Sequence, residues 1–260
     1  MRHRECNILS NQEIAKGIYE MVVDTRDFPM GTPGQFMMVH VGRGDLILPR
    51  PISICRQEKN ITLLVYKVFG KGTAHLGTLK AGDSVRLMGP LGNGFTIKDG
   101  LRKIALIGGG IGIPPMVSIY DHVKESGIEV DVLLGFSTSH YLTNLFTGAN
   151  LHIIGDDINI FADPPFPSGH VYPESGNVMT LLDNQDNLDQ KYDEIFACGP
   201  KPMLAALSKY AADKGVPLQI SLEERMACGL GACMGCVVPP EYLKICCAGP
   251  VFYSDKVVLD

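Results

Sequence analysis

Residues 103–115 read Lys-Ile-Ala-Leu-Ile-Gly-Gly-Gly-Ile-Gly-Ile-Pro-Pro, an apolar run followed by a glycine-rich turn and two prolines. The apolar run predicts a buried strand, and the prolines predict the first turn of a helix. A turn from a strand into a helix N-terminus is typical of phosphate sites. Tight packing between strand and helix is the alternative reason for the glycines. The candidate binding residues of this turn are Gly108, Gly109, Gly110 and Gly112.

The turn departs from the dinucleotide-binding fingerprint G-x-G-x-x-G. Gly110 and Gly112 can take its first two positions, but Pro115 stands at the third. The next predicted strand runs into Gly-Phe-Ser-Thr at 135–138, without the acidic residue that binds ribose in the fingerprint. The sequence therefore predicts a nucleotide bound in another mode, with NAD and NADP both left open.

Outward from this turn, residues 100–222 alternate predicted strands with predicted helices, which indicates a doubly wound parallel sheet. Cys198, Gly199 and Pro200 follow its fourth strand, at the edge where such sheets bind ligands, although they also suit a plain helix start. Residues 157–176 contain several prolines and glycines and predict a surface loop. The predicted strands are 103–108, 129–135, 151–154, 194–197 and 218–222, and the predicted helices are 114–126 and 202–214.

Residues 1–99 carry short apolar runs at 17–24, 35–41, 61–67 and 84–88, with turn residues between them. Their spacing and β-branched content predict an antiparallel barrel or sandwich.

Three short motifs within this first segment suit an anionic cofactor with an aromatic ring system. Arg50-Pro51-Ile52-Ser53 offers a guanidinium clamp for a pyrophosphate and a hydroxyl for a flavin edge. Val65-Tyr66-Lys67 places an aromatic ring beside a cation, and Gly70-Lys-Gly72-Thr73 offers backbone donors for an anion-binding nest. Each motif alone is ordinary, because an Arg-Pro pair is typical of a turn and Tyr66 of a core.

Five of the eight cysteines lie within twenty residues, near the end of the printed sequence. Cys228, Cys233 and Cys236 have the spacing C-x4-C-x2-C, and nine residues separate Cys236 from Cys246. This pattern favours a plant-type [2Fe–2S] cluster over a zinc site built from two short knuckles, and over unmetallated thiols. Cys246 and Cys247 are adjacent, and neighbours in an extended segment point in opposite directions. One of them is therefore expected to reach the cluster and the other to be a small buried hydrophobic residue.

Composition limits the function classes. The 260 residues have 45% hydrophobic and 20% charged residues and a net charge of -5, without a long basic run, which argues against nucleic acid or membranes as partners. The first seventeen residues lack the apolar segment of a secretion signal, so a cytoplasmic protein with reduced thiols is expected. No nucleophile–His–acid set suggests hydrolytic chemistry, so no catalytic side chain is assigned.

Together these segments resemble the ferredoxin–NADP reductase superfamily and, more closely, the family of electron-transfer subunits of class 1B dihydroorotate dehydrogenases. The resemblance covers essentially the whole chain and is most specific around the cysteines. The segments that carry it are 50–53, 88–95, 108–115, 221–236 and 246–252.

The resemblance implies three domains: an antiparallel FAD-binding barrel at 1–99, an NAD-binding α/β domain at 100–222 and a [2Fe–2S] module at 223–260. It implies that Cys246 is the fourth iron ligand, because Gly249 follows at the family's distance. Lys67 stands where relatives often carry Arg, so a bidentate phosphate contact is not expected there. The flavin residues that it implies are Arg50, Pro51, Ile52, Ser53, Val65, Tyr66, Lys67, Gly72 and Thr73, and the residues at the nicotinamide nucleotide are the glycine turn with Cys198, Gly199 and Pro200.

The implied function is an electron relay in pyrimidine biosynthesis. A catalytic partner would oxidise dihydroorotate on FMN, in a heterotetramer of two copies of each subunit, and electrons would pass through the cluster and FAD to NAD⁺. Apolar residues around the cysteines would cover the cluster or bind that partner: Met226, Leu230, Met234, Val237 and Val238. Two alternatives are the small subunit of a sulfide dehydrogenase or of an NADH-dependent ferredoxin:NADP oxidoreductase, and a non-enzymatic, zinc-bound nucleotide module.

Overall fold

A computed structural model describes residues 1–137, 142–155, 170–183 and 192–259. These residues form two compact units, one of 1–94 with 223–251 and the other of 95–222 with 252–260. The predicted division into three domains remains a prediction. Within the described residues, no helix has both the length and the hydropathy needed to cross a membrane.

The first unit is built on a closed barrel of six antiparallel strands, which confirms the barrel over the sandwich. Around the barrel the strand order is β1-β2-β5-β4-β3-β6. Alternate side chains point inward, so Cys6 and Ile8 of the first strand join Met37, Leu64 and Leu87 in one buried core. The strands are β1 (Arg2–Ala15), β2 (Ile18–Asp24), β3 (Phe36–His40), β4 (Arg50–Gln57), β5 (Ile61–Lys67) and β6 (Ser84–Leu91).

A short helix, α1 (Lys71–Leu76), stands where the sequence predicts an anion-binding nest. The Thr73 hydroxyl accepts hydrogen bonds from the N–H groups of Phe69 and Gly70 and so organises the start of the helix. The backbone donors in this segment are those of a helix N-terminus. Their role in binding an anion stays a prediction.

The cysteine segment belongs to the barrel unit and contains one small hairpin, β13 (Val237–Val238) with β14 (Leu243–Lys244). Gly229 passes so close to the barrel that an added Cβ would lie 2.7 Å from Cγ of Met38 and 3.3 Å from Leu91. Asn93, just after β6, donates through Nδ2 to the carbonyls of Cys247 and Ala248, both at 3.1 Å. These contacts fix the segment against the outer wall of the barrel.

The second unit is built on a seven-stranded sheet in the order β10-β9-β8-β7-β11-β12-β15. The paired strands from β10 to β12 are parallel, as predicted. The chain moves outward from β7 to β10 and then returns to β11 on the other side of β7, so the topological switch point lies between β7 and β11. The strands are β7 (Lys103–Gly109), β8 (Glu129–Phe136), β9 (Asn150–Gly155), β10 (His170–Ser175), β11 (Glu194–Cys198), β12 (Leu218–Ser221) and β15 (Val251–Tyr253).

The helices of this unit are α2 (Ile113–Val123), α3 (Val178–Asp183) and α4 (Lys201–Lys214). The helix α2 ends three residues before its predicted end, because the Ser126 hydroxyl donates to the carbonyl of Val123 and Gly127 turns the chain at φ +81°. Most of the loop predicted at 157–176 lies outside the described residues. Its described end is the strand β10, so the loop prediction is wrong for 170–175.

Candidate functional site

The thiols of the cysteine segment lie in two pairs. Cys228 and Cys233 hydrogen-bond each other at the outer side, where Cys233 is exposed and Cys228 is half-buried. Cys236 and Cys246 form the buried pair, and the N–H of Cys246 donates to Cys236 Sγ at 3.5 Å. The structure thus brings together all four predicted ligands within one loop and hairpin.

Two pairs suit a two-iron cluster better than a single zinc ion. Each iron of a [2Fe–2S] cluster takes two cysteine sulfurs, whereas a tetrahedral zinc needs four ligands around one point. Four thiols in two pairs are a donor set that fits the cluster.

Backbone N–H groups surround these sulfurs. Leu230 and Cys233 donate to Cys228 Sγ at 3.4 and 3.5 Å, and these bonds lower the pKa of the Cys228 thiol to about 6. Gly231 donates to Cys246 Sγ at 3.2 Å, but burial dominates there and raises the pKa of Cys246 to about 12. Donors of this kind stabilise negative charge on sulfur, and hydrogen bonds to the sulfurs are one of the factors that set the reduction potential of a bound cluster.

Cys247 departs from its prediction. It is exposed and so is not a buried hydrophobic residue. Residues 244–248 form a tight turn, in which the N–H groups of Cys247 and Ala248 both donate to the carbonyl of Lys244. The premise of an extended segment therefore fails at these positions.

The predicted flavin residues of β4 and α1 meet at Arg50 and Gly72. A Cβ on Gly72 would lie 2.5 Å from Cζ of Arg50, so the glycine makes room for the guanidinium beside the start of α1. The Nη1 of Arg50 donates to the carbonyl of Leu48 at 2.5 Å, which leaves the opposite side of the guanidinium against the helix N-terminus. A guanidinium next to a helix N-terminus is a suitable cradle for a pyrophosphate.

The remaining flavin candidates divide between the two faces of the barrel wall. Ile52 and Tyr66 point inward to the core, and the Tyr66 hydroxyl donates to Asn11 Oδ1 at 3.0 Å. Burial raises the pKa of Tyr66 to about 12. Ser53, Val65 and Lys67 alternate with them and point to the outer face. A cofactor on the outer wall would thus meet the backbone of Tyr66 and not its ring, while Pro51 is half-buried next to Arg50.

The glycine turn and the Cys198–Pro200 segment meet at the switch point of the sheet. Cys198 pairs with Gly108 across β11 and β7. A Cβ on Gly112 would lie 2.6 Å from the N of Gly199, and one on Gly109 would lie 2.6 Å from Sδ of Met203. Tight packing against backbone requires glycine at 112, whereas Gly109 packs against the flexible end of the Met203 side chain.

Gly110 differs from its neighbours in the turn. Its φ is +53°, and a Cβ built on it meets nothing within 4 Å. Open space beside backbone at the carboxyl edge of the switch point is where an open α/β sheet binds its ligand. The residues of this edge therefore fit a nucleotide, with Gly110 as the residue next to the open space and Pro200 exposed beside it.

Several residues of these sites were missed by sequence reasoning. Asn93 holds the turn at Cys247, Met38 and Leu91 receive Gly229, and Met203 packs against Gly109 and Gly199. Asn93 had a signal, because it lies within the Met88–Phe95 stretch that resembles the family. The methionines had none, since single apolar residues in a strand or helix predict only core.

Comparisons with known proteins agree with this geometry. A sequence profile of the iron-sulfur cluster binding domain of dihydroorotate dehydrogenase B matches residues 223–258. Proteins named dihydroorotate dehydrogenase B (NAD(+)), electron transfer subunit, are 35% identical in Listeria monocytogenes serovar 1/2a and 36% identical in a Geobacillus species, and each match covers all of both chains. The solved structure of an NADH-dependent reduced ferredoxin-NADP oxidoreductase is similar with a TM-score of 0.79 and 25% identity, over 98% of this chain and 90% of that one.

Proposed function

This chain belongs to the family of dihydroorotate dehydrogenase B (NAD⁺) electron transfer subunits, and on that premise we propose which of its residues carry the electrons. It is an oxidoreductase subunit of pyrimidine biosynthesis that uses FAD, a [2Fe–2S] cluster and NAD. The observation that carries this function is the full-length identity to relatives of that name, together with the paired thiols. The ferredoxin-linked alternative is not favoured, because identity to that structure is lower.

The proposed cluster ligands are Cys228 and Cys233 for the outer iron and Cys236 and Cys246 for the buried one. A bound cluster would supply one-electron transfer, and bound FAD would supply the conversion between single electrons and the hydride that NAD⁺ accepts. The chain contributes position: the barrel wall at Met38 fixes Gly229, and Asn93 fixes the turn after Cys246. Arg50 and the N–H groups of Gly72 and Thr73 would hold the pyrophosphate of FAD.

The nucleotide-binding role falls to the second unit. The glycines 108, 109 and 112 and the segment 198–200 build the floor of the site by packing on each other, and Gly110 adjoins the nucleotide. The three segments 1–99, 100–222 and 223–260 thus divide the work into flavin binding, nucleotide binding and cluster binding.

An electron transfer subunit implies a catalytic partner. We propose an FMN-containing, dihydroorotate-oxidising subunit, two copies of each, in the cytoplasm. Leu230 and Met234 are 51% and 52% exposed around the outer thiols, while Met226 and Val238 are buried. The predicted apolar set therefore has two roles. Met226 and Val238 cover the cluster, and Leu230 and Met234 form the proposed docking surface together with Tyr242.

The test is reconstitution with the catalytic subunit of the same organism. The complex is expected to reduce NAD⁺ with dihydroorotate, followed by absorbance at about 340 nm, and to contain FAD and about two irons per chain of this subunit. A complex that contains these groups and reduces NAD⁺ with ferredoxin but not with dihydroorotate would support the alternative.

The docking surface has a matched control. Leu230→Glu is expected to weaken binding of the catalytic subunit by about 100-fold, because a charge would be buried in the interface, with iron and FAD contents unchanged. Leu9→Glu changes a leucine of similar exposure, 47%, on β1 and is expected to bind normally. Equal binding by both variants, measured by titration calorimetry, would remove this surface from the proposal.

A further inference from the structure

The cysteine segment contains five thiols where the cluster needs four. The fifth, Cys247, is neither buried nor distant: its Sγ lies 3.6 Å from Sγ of Cys246. The tight turn at Lys244 produces this proximity, since an extended segment would direct the two side chains apart. Neighbouring sulfurs on one side of the chain are an arrangement that spacing alone does not predict.

Gly231 faces both of these sulfurs. Its N–H donates to Cys246 Sγ at 3.2 Å, and a Cβ on it would lie 2.7 Å from Cys247 Sγ. The left-handed φ of Gly231, +76°, and its lack of a side chain allow this double contact. The two sulfurs therefore border the same space beside Gly231.

The backbone of Cys247 is held while its side chain is accessible. Asn93 donates to the carbonyl of Cys247, and the N–H of Cys247 donates to Lys244, so both of its backbone polar groups are engaged. The thiol itself is exposed, and its Sγ already lies 3.6 Å from Sγ of Cys246. The backbone of the turn therefore holds the two sulfurs close to each other.

We propose that Cys247 is a reserve iron ligand that replaces Cys246 when Cys246 leaves the buried iron. This inference rests on the cluster-binding part of the proposed function. In the exchange the bond from Cys246 sulfur to iron breaks and that thiolate takes up a proton, while the Cys247 thiol releases a proton and its sulfur bonds the iron. No electron is gained or lost, so the exchange needs no oxidant or reductant.

The test measures iron and sulfide after anaerobic reconstitution of the full chain. Cys246→Ala is expected to keep at least about half of the wild-type iron, and Cys246→Ala with Cys247→Ala less than about a tenth. Cys233→Ala is the matched control, because the next thiol along the chain, Cys236, is itself a proposed ligand, and it too is expected to fall below about a tenth. Iron loss in Cys246→Ala equal to that in Cys233→Ala would overturn the proposal, as would iron in the double variant equal to that in Cys246→Ala.

Alkylation provides a second measurement that does not depend on cluster yield. In the loaded wild type, iodoacetamide is expected to label the exposed Cys247, and in loaded Cys246→Ala or Cys246→Ser it is expected to leave Cys247 unlabelled. Labelling of Cys247 in both loaded variants would contradict ligation. Failure of the wild type to take up iron would instead count against the proposed function, so the two failures are distinguishable.

Discussion

Gly72 in the barrel unit and Gly112 in the sheet unit are both predicted phosphate-site glycines, but different neighbours require them. The space beside Gly72 is taken by the end of the Arg50 side chain, whereas the space beside Gly112 is taken by the backbone of Cys198 and Gly199. A guanidinium can move and a strand cannot. The first glycine thus makes room for a side chain that is proposed to bind the cofactor, and the second makes room for backbone of the fold.

Two carboxylates show the same contrast between a side-chain partner and a backbone partner. Asp24 in the barrel unit has its pKa lowered mainly by a side chain, the guanidinium of Arg26. Asp193 in the sheet unit has its pKa lowered mainly by backbone N–H groups, those of Lys103 and then Arg102. The pKa of an aspartate is therefore lowered by a side chain in one unit and by backbone in the other.

The largest effect is expected for Gly112→Ala. Its Cβ would overlap strand backbone that cannot withdraw, so we expect local destabilisation of about 3 kcal/mol or more. Amide hydrogen exchange of β7 and β11 measures this local loss of stability. Gly127→Ala is the control in the same unit, because no atom lies within 4 Å of the added Cβ, and it should cost only the left-handed strain of about 1 kcal/mol. Equal exchange in both variants would contradict the packing role.

A smaller effect is expected for Gly72→Ala, and it should appear in binding. The methyl group displaces the Arg50 guanidinium, so FAD affinity should fall roughly 10- to 100-fold, about 1.4–2.8 kcal/mol. Fluorescence titration of flavin-free protein measures it. Gly70→Ala is the matched control, since its φ of -165° is extended and nothing lies within 4 Å. If Gly72→Ala destabilised the barrel and left FAD affinity unchanged, Gly72 would serve packing and not the Arg50 side chain.

Gly110→Ala is expected to cost about 1 kcal/mol, because the penalty comes from its positive φ alone. Asn tolerates this backbone region better than Ala, so Gly110→Asn should regain part of the loss in a thermal unfolding scan of the sheet unit. If Gly110→Ala destabilised as much as Gly112→Ala, the open space beside Gly110 would be excluded.

The smallest effect is the different response of the Asp24 and Asp193 pKa values to added salt. Both have a folded-state pKa below the unfolded one, so each adds stability above about pH 4 that is lost as the pH falls through the folded value. About 1 M salt should raise the pKa of Asp24 toward its ordinary value by more than it raises that of Asp193, because it screens the exposed ion pair with Arg26. The two pKa values are measured from the side-chain carboxyl resonances by NMR. An equal increase of both values with salt would contradict the contrast between the two aspartates.

Much of the fold was predictable from local pattern. The strands at 103–108, 129–135 and 194–197 lie within one residue of β7, β8 and β11, because short buried runs between turn residues have few alternatives. The strands β1 and β4 were not predicted. Their sequences are rich in polar residues or begin with Arg-Pro, and they are strands because the barrel pairs them on both edges.

The candidate site was predictable to a different extent in its two halves. The proposed iron ligands are side chains of one type at a specific spacing, so Cys228, Cys233, Cys236 and Cys246 could be predicted directly from the sequence. The nucleotide site uses backbone, and glycine does not reveal whether a ligand or a neighbouring strand needs the space. Gly110 and Gly112 look equivalent in the sequence, but in the fold Gly110 borders open space and Gly112 is packed against backbone.

The amino-acid order alone determined the donor atoms, the cluster type that their spacing favours and the alternation of strands and helices, because these depend on residues a few positions apart. Tertiary contacts decided how the thiols pair, how close Cys247 comes to Cys246, and that Gly112 belongs to packing. The turn at Lys244 brings the two sulfurs together, but Asn93 anchors that turn and Cys198 takes the space beside Gly112. Partners so distant along the chain become neighbours only when the chain has folded.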